Sequence, residues 1–162
     1  MSVAENMALR DFDSPQYIRR GWRVDRASMQ LRARELIAAF NVKPALPQRP
    51  IGTLSGGNVQ RAVLARELAA GANILIAANP VFGLDFKAVS DIHGRILAAR
   101  EEGAAVLLVS EDLDELLELS DRLVVMANGR IVYECATRHV DRATLGRYMA
   151  SHVDETPLEQ AA

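Results

Sequence analysis

Apolar residues recur along the chain in two periods, and the switches between them mark out its elements. Ala33, Leu36, Ile37 and Phe40 fall at i, i+3, i+4 and i+7, one face of a 3.6-residue helix that Asp25 is placed to cap. Pro44, Pro47 and Pro50 follow; each fixes φ and removes an amide donor, which predicts an extended linker. After Leu54-Ser55-Gly56-Gly57-Asn58 a helical run continues to about Leu68, with Gly71 beyond its end. Ile74–Ala77 is a short apolar run between turn residues, the pattern of a parallel strand buried on both faces. Pro80 and Gly83 turn the chain, and Lys87–Glu102 then places Val89, Ile92, Ile96 and Ala99 on one helical face with Gly103 at C′. Val106–Val109 predicts a second buried strand.

Ser110 is the expected cap of the next helix, with Glu111 and Asp112 in its first turn and Leu113, Leu116 and Leu117 on its apolar face. Leu123–Met126 and Ile131–Tyr133 flank Asn128-Gly129; Asn-Gly between apolar runs predicts a hairpin, because both turn residues need φ > 0. Arg142–Ala150 reads as a last helix, and Ser151–Ala162 as a frayed tail. The start, Met1–Arg23, mixes charge, Pro15, Phe12, Tyr17 and Trp22 without a clean period, and reads as a short helix or loop that docks on something. Strand, helix, strand, helix and hairpin together define an α/β chain with a parallel sheet.

Composition narrows the function classes. At 162 residues the chain is long enough for one core, and 49% hydrophobic residues suit a globular protein. A net charge of −2 argues against a strongly basic nucleic-acid binder. The single Cys135 excludes an intrachain disulfide and a cysteine-rich zinc site, and reads as a small buried residue. No secretion signal is expected, since Met1–Arg10 carries Glu5 and no apolar block. His93, His139 and His152 are dispersed and read as surface histidines, and the acidic runs Glu101-Glu102 and Glu111–Glu115 as exposed helix faces. Arg19, Arg20 and Arg23 beside Tyr17 and Trp22 form a small basic cluster, either solvated or a docking surface.

Leu54–Asn58 is the strongest candidate for chemistry. Two glycines allow close approach to the backbone, and a serine hydroxyl and free amides at a helix N-terminus suit an anion such as phosphate. The same residues also fit an ordinary serine cap behind a glycine-rich loop.

The order of landmarks decides between them. Leu54-Ser55-Gly56-Gly57-Asn58 is followed by Ala77-Ala78-Asn79-Pro80, then Gly83-Leu84-Asp85, then Val109-Ser110-Glu111-Asp112-Leu113-Asp114-Glu115, then Asn128-Gly129-Arg130. This series resembles the C-terminal half of an ATP-binding cassette (ABC) ATPase, with the signature loop at Leu54–Asn58, the Walker B strand at Ile74–Asn79, the D-loop at Gly83–Asp85 and the switch-histidine position at Glu111. Leu-Ser-Gly-Gly-Asn and Ala-Ala-Asn-Pro are most similar to the second cassette of double-cassette ATPases that import simple sugars and nucleosides. The resemblance implies a partial P-loop NTPase fold. Residues 1–52 would be the remainder of the helical subdomain and the proline-rich linker, 53–150 the signature helix through the C-terminal hairpin, and 151–162 a flexible tail. It also implies that Ser55, Gly56, Gly57 and Asn58 contact nucleotide held by another cassette with an intact Walker A loop, so that ATP and Mg2+ are ligands of a partner site and of none formed by this chain alone. Permease subunits would be the other partners, nucleic acid would not be one, and the location would be the cytoplasmic face of the inner membrane.

Departures from the family pattern argue against independent hydrolysis. The 162 residues contain no G-x-x-x-x-G-K-[ST] loop to cradle the β- and γ-phosphates. Ala78 stands at the magnesium-shell aspartate, Asn79 at the general base and Glu111 at the switch histidine, each removing an electrostatic or proton-transfer element of phosphoryl transfer. The chain reads as a truncated cassette, so Ile74–Ala77 or Val106–Val109 is expected to expose an unpaired edge. A non-catalytic interaction module or a decayed remnant is the alternative function.

Overall fold

Acidic side chains start most of the helices. In the computed structural model, which describes residues 1–69 and 71–150, α1 (Val3–Met7) opens on a reciprocal box in which Ser2 Oγ accepts from the Glu5 amide and Glu5 accepts from the Ser2 amide. β1 (Ile18–Arg19) and β2 (Arg23–Val24) form an antiparallel ribbon. Asp25 then caps α2 (Arg26–Ala39), accepting from the Ala27 and Ser28 amides. α3 (Gly56–Leu68) leads to β3 (Ile74–Ala78). Asp85 caps α4 (Phe86–Glu101) through the Ala88 amide, and β4 (Ala105–Val109) follows. α5 (Leu113–Leu119), β5 (Arg122–Ala127), β6 (Arg130–Ala136) and α6 (Arg142–Ala150) complete the order. The tail expected over Ser151–Ala162, including His152, lies outside the described residues. The chain divides after Leu107 into two compact units.

In the first unit α1, α2 and α3 pack on one another. The expected inward face of α2 is present, with Ala33, Leu36, Ile37 and Phe40 all buried, and Met29 joining Ala8 and Tyr17 in a second cluster. The proline segment is more than a spacer. Val3 donates to the Arg49 carbonyl at 2.9 Å, Ala4 to the Pro47 carbonyl at 2.9 Å, and Ile51 to the Met1 carbonyl at 3.1 Å. Carbonyls that their own proline-broken stretch cannot use thus hold the chain start. The ribbon β1–β2 escaped the sequence pattern because its loop places Arg20 at φ 53 ahead of Gly21 at φ 79, a conformation ordinarily signalled by Asn or Gly.

α4 buries Ala88, Ile92, His93 and Ile96, so His93 is a core residue and not the surface histidine expected. Gly103 at φ 100 closes the helix: its amide reaches the Arg100 carbonyl at 2.9 Å and the Ala104 amide the Ala99 carbonyl at 3.0 Å, the paired bonds of a Schellman motif. The Ala105 amide donates to the Asn73 carbonyl. β3 and β4 therefore begin at the same end and run in parallel, joined by the helical crossover that parallel pairing requires.

Their burial corrects the sequence reading. Leu75 is buried, but Ile74 and Ile76 are 69% and 68% exposed, and Leu107 and Val109 56% and 52%. Only one face of this two-stranded sheet is covered among the described residues. An apolar run makes both faces of a strand apolar; it does not supply a second covering layer.

The second unit is built on the hairpin, whose Asn128-Gly129 turn has φ 50 and 75 as expected. β5 and β6 pair antiparallel with Leu123 opposite Cys135 and Val125 opposite Tyr133. These four and Leu145 form the core, over which Leu113, Leu116 and Leu117 pack. Tyr133 stacks on Tyr148 of α6 with centroids 4.1 Å apart and planes 13° from parallel. The cap of α5 is Asp112 and not Ser110; Ser110 Oγ instead accepts from the Asp112 amide at 3.0 Å. Glu115, counted with an exposed acidic run, is 2% exposed.

Two outcomes follow from these features. The 162-residue chain should self-associate through the bare face of β3–β4, and Ile76→Thr with Leu107→Thr should move its gel-filtration profile towards monomer without changing its far-UV circular dichroism; an unchanged profile would clear that face. Separately, Asp25 is held below its ordinary value of 3.8 by the Ser28 hydroxyl, Asp85 by the Ala88 amide and Asp141 by the Thr144 amide. Depressed folded values mean that these caps contribute fully above the ordinary value and are lost as pH falls through the lower folded ones. Helical signal should therefore drop in that acid window, and a triple Asp→Asn variant, whose amide oxygens still cap, should flatten the dependence.

Candidate functional site

The candidate site grows from the first turn of α3. The Ser55 carbonyl accepts the Asn58 and Val59 amides, both at 2.9 Å. The Gly56 and Gly57 amides are first-turn donors that a helix cannot satisfy itself, and no side chain caps them. Ser55 Oγ makes no capping bond; it accepts from Asn58 Nδ2 at 2.9 Å. Asn58 is a strut, since its Oδ1 also takes the Lys43 amide at 2.7 Å. Ser55 and Gly56 are exposed, and a Cβ built on Gly56 would meet nothing within 4 Å. Nothing inside the described chain requires glycine there, and the space before its backbone is open.

Gly57 faces the turn after β3. A Cβ on it would meet Leu84 Cδ2 at 3.5 Å and the Gly83 carbonyl oxygen at 3.6 Å. The next turn of α3 fastens the same junction. Gln60 Nε2 donates to the Asn79 carbonyl at 3.1 Å and to the Pro80 carbonyl at 2.6 Å. Arg61 pairs with Asp85, and its Nη1 donates to the Asn41 carbonyl at 3.0 Å. Arg95 of α4 reaches the Ala39 carbonyl at 2.6 Å and lies 3.8 Å over the Phe40 ring, so arginines from two helices satisfy carbonyls at the end of α2.

Most of the sequence-derived candidates thus meet in one place. Ser55, Gly56, Gly57 and Asn58 form the helix entry, Gly83, Leu84 and Asp85 lie beside it, and Asn79 is tied to it through Gln60. Asn79 sits at φ 45, a left-handed conformation that asparagine tolerates better than most residues. The Ala78 methyl offers no ligand atom to a magnesium ion, so this junction does not fit a metal site of its own. Asp85 is engaged twice, by the Ala88 amide and by Arg61, and these bonds hold its carboxyl below the ordinary range. Glu111 lies exposed in the second unit, immediately before the cap of α5. Gln60 and Arg61 were not singled out from sequence, although Gly57, Gln60 and Arg61 fall at i, i+3 and i+4 and so share a helix face.

This fold recurs in solved ATP-binding cassettes. An ATP-binding subunit of an ABC transporter matches 93% of this chain and 59% of its own length with a TM-score of 0.69 at 20% identity. A dimeric bacterial ABC transporter cassette matches 85% and 57% with a TM-score of 0.67 at 24% identity. No protein-family model matches the chain. In sequence it is 37% identical over 158 residues to a glucose import ATP-binding protein of Haloferax volcanii, which covers 96% of this chain and 28% of that protein. It is 42% identical over 131 residues to a nucleoside import ATP-binding protein of Lactococcus lactis, covering 81% and 26%. It is 36% identical over 161 residues to a ribose import ATP-binding protein of Corynebacterium glutamicum, covering 99% and 30%.

The helix opened by an exposed Ser-Gly-Gly entry, locked to the turn after a parallel strand, thus sits in a P-loop NTPase-type cassette fold. Its homologues are sugar- and nucleoside-import ABC ATP-binding proteins, and the chain spans less than a third of the length of the curated relatives it matches.

The junction can be tested without nucleotide. Gln60→Leu preserves bulk but removes both donated bonds, and should cost about 1–3 kcal/mol. Amide hydrogen exchange should quicken at Phe82 and Leu84, and α6 in the other unit should be unaffected. Equal exchange in both proteins would show that Gln60 does not hold the turn.

Proposed function

We propose that the chain acts as the signature-bearing part of a nucleotide-binding unit in a sugar- or nucleoside-type importer, covering ATP held by the Walker A loop of a partner cassette. One observation carries this reading: the Gly56 and Gly57 amides and the Ser55 hydroxyl stand uncapped at an open helix entry that Gln60 and Arg61 hold in place. A γ-phosphate there would meet two backbone donors, a hydroxyl and the positive end of a 13-residue helix. Each charge-assisted bond would contribute about 1.5–3 kcal/mol, and the helix end about 0.3–1 kcal/mol. Mg2+ would belong to the partner's half of that site, since Ala78 offers it no ligand. Permease subunits and a place at the cytoplasmic membrane face complete the assembly in this reading.

The chain's own residues do not furnish hydrolysis. Asn79 could orient a water but cannot take its proton, and Glu111 would bring a like charge to a phosphate. These substitutions favour a second reading, in which the chain is a non-catalytic interaction module or a decayed remnant.

The decisive measurement is ATP-dependent association with a cassette of intact Walker A, made with the wild-type chain and with Ser55→Arg. The expected result is association that requires ATP and is lost in Ser55→Arg, whose side chain would fill the phosphate position, with phosphate release by the purified chain alone at background. Equal association of both proteins would favour the interaction module, and absence of association the remnant. ATP turnover by the chain alone, retained through further purification, would overturn both.

A further inference from the structure

The β1–β2 ribbon has no part in the junction described above, and its chemistry is unusual for so small an element. Its register sets Arg19 directly opposite Arg23, although like charges facing each other across a ribbon destabilise it. Arg20 takes the left-handed conformation at φ 53, which residues other than Gly, Asn and Asp adopt at a cost. Trp22, the only tryptophan in the chain, stands 76% exposed in the connecting loop, and Val24 is 44% exposed. Residues 19–26 hold four arginines against the single Asp25, in a chain whose net charge is −2. Arg19 is paired with Asp25 at 2.6 Å; Arg20 and Arg23 are exposed and make no ion pair among the described residues.

We infer that this ribbon tip is a peripheral membrane-docking element that seats Trp22 at an anionic bilayer surface. An indole ring is stabilised at the headgroup–acyl boundary, where its apolar body and N–H are both accommodated. Arginines beside it gain from the negative surface potential within a Debye length of the lipid. A two-stranded tip with one projecting aromatic offers no groove for a partner helix and no platform for successive bases. It suits a deformable surface better than a preformed pocket. No described helix is long and apolar enough to cross a membrane, so this contact is a surface one, driven by one aromatic anchor and two unpaired cations. It stands independently of the nucleotide reading.

Trp22 is its own probe. The full chain is titrated with vesicles of phosphatidylglycerol mixed with phosphatidylcholine, and with phosphatidylcholine alone, while indole emission and iodide quenching are followed. With the anionic vesicles the emission should move to shorter wavelength and quenching should fall; both effects should weaken as salt is raised and be absent with phosphatidylcholine. Arg20→Gln with Arg23→Gln should reduce the partition coefficient by about twenty-five-fold, from roughly five-fold per arginine. Trp22→Ser, followed by vesicle flotation with circular dichroism as the folding control, should float poorly while remaining folded. Equal binding to both vesicle types, equal binding by the double arginine variant, or an equal blue shift with polyglutamate or single-stranded RNA in the absence of lipid would each overturn the assignment. The last result would make the tip a general polyanion site.

Discussion

The α3 entry depends on bonds sent from the turn after it. An exposed Ser-Gly-Gly sequence has little intrinsic order, since glycine loses more backbone freedom on folding than any other residue. Gln60 and Arg61 remove that freedom indirectly, by fastening α3 to the Asn79–Pro80 carbonyls, to Asp85 and to the end of α2. Asn58 ties the entry itself to Lys43. The open backbone can then stay uncapped without unravelling, because Asn58, Gln60 and Arg61 anchor the helix behind it. Arg61 and Asp85 also join α3 to the cap of α4, so the α3 entry and the Gly83–Asp85 turn share their supports.

Much of this was legible beforehand, for reasons that differ by element. The face of α2 follows from 3.6-residue spacing, that of α4 only in part, since Ile92 and Ile96 are buried but Val89 and Ala99 are half-buried. The β5–β6 hairpin follows from an Asn-Gly pair whose positive φ values are met in the structure. The fold class and the resemblance to ABC cassettes follow from the order of five short motifs. Other features leave no local trace. Ile74-Leu75-Ile76-Ala77 reads as apolar on both faces whether or not a layer covers each. Glu115 and His93 are buried through the neighbours they meet, while residue type alone places them outside. The β1–β2 turn is hidden because arginine is not a residue one expects at φ 53. Gln60 and Arg61 share a helix face with Gly57, a periodicity that can be counted, but their partners are carbonyls, which sequence does not distinguish.

The bare face of β3–β4 and the covered face of β5–β6 present the same physics with opposite outcomes. Leu123, Val125, Tyr133 and Cys135 point into a core that α5 and α6 close, so the second unit satisfies its sheet from its own residues. Ile74, Ile76, Leu107 and Val109 have the composition of core positions and the exposure of surface ones.

The stacked pair Tyr133 and Tyr148 gives the second unit an optical identity. Two phenol rings 4.1 Å apart and nearly parallel couple their electronic transitions, and the coupling exists only while β6 and α6 are packed together. The lone indole is in the first unit. A melting curve followed through the tyrosine couplet therefore reports the packing of the second unit by itself.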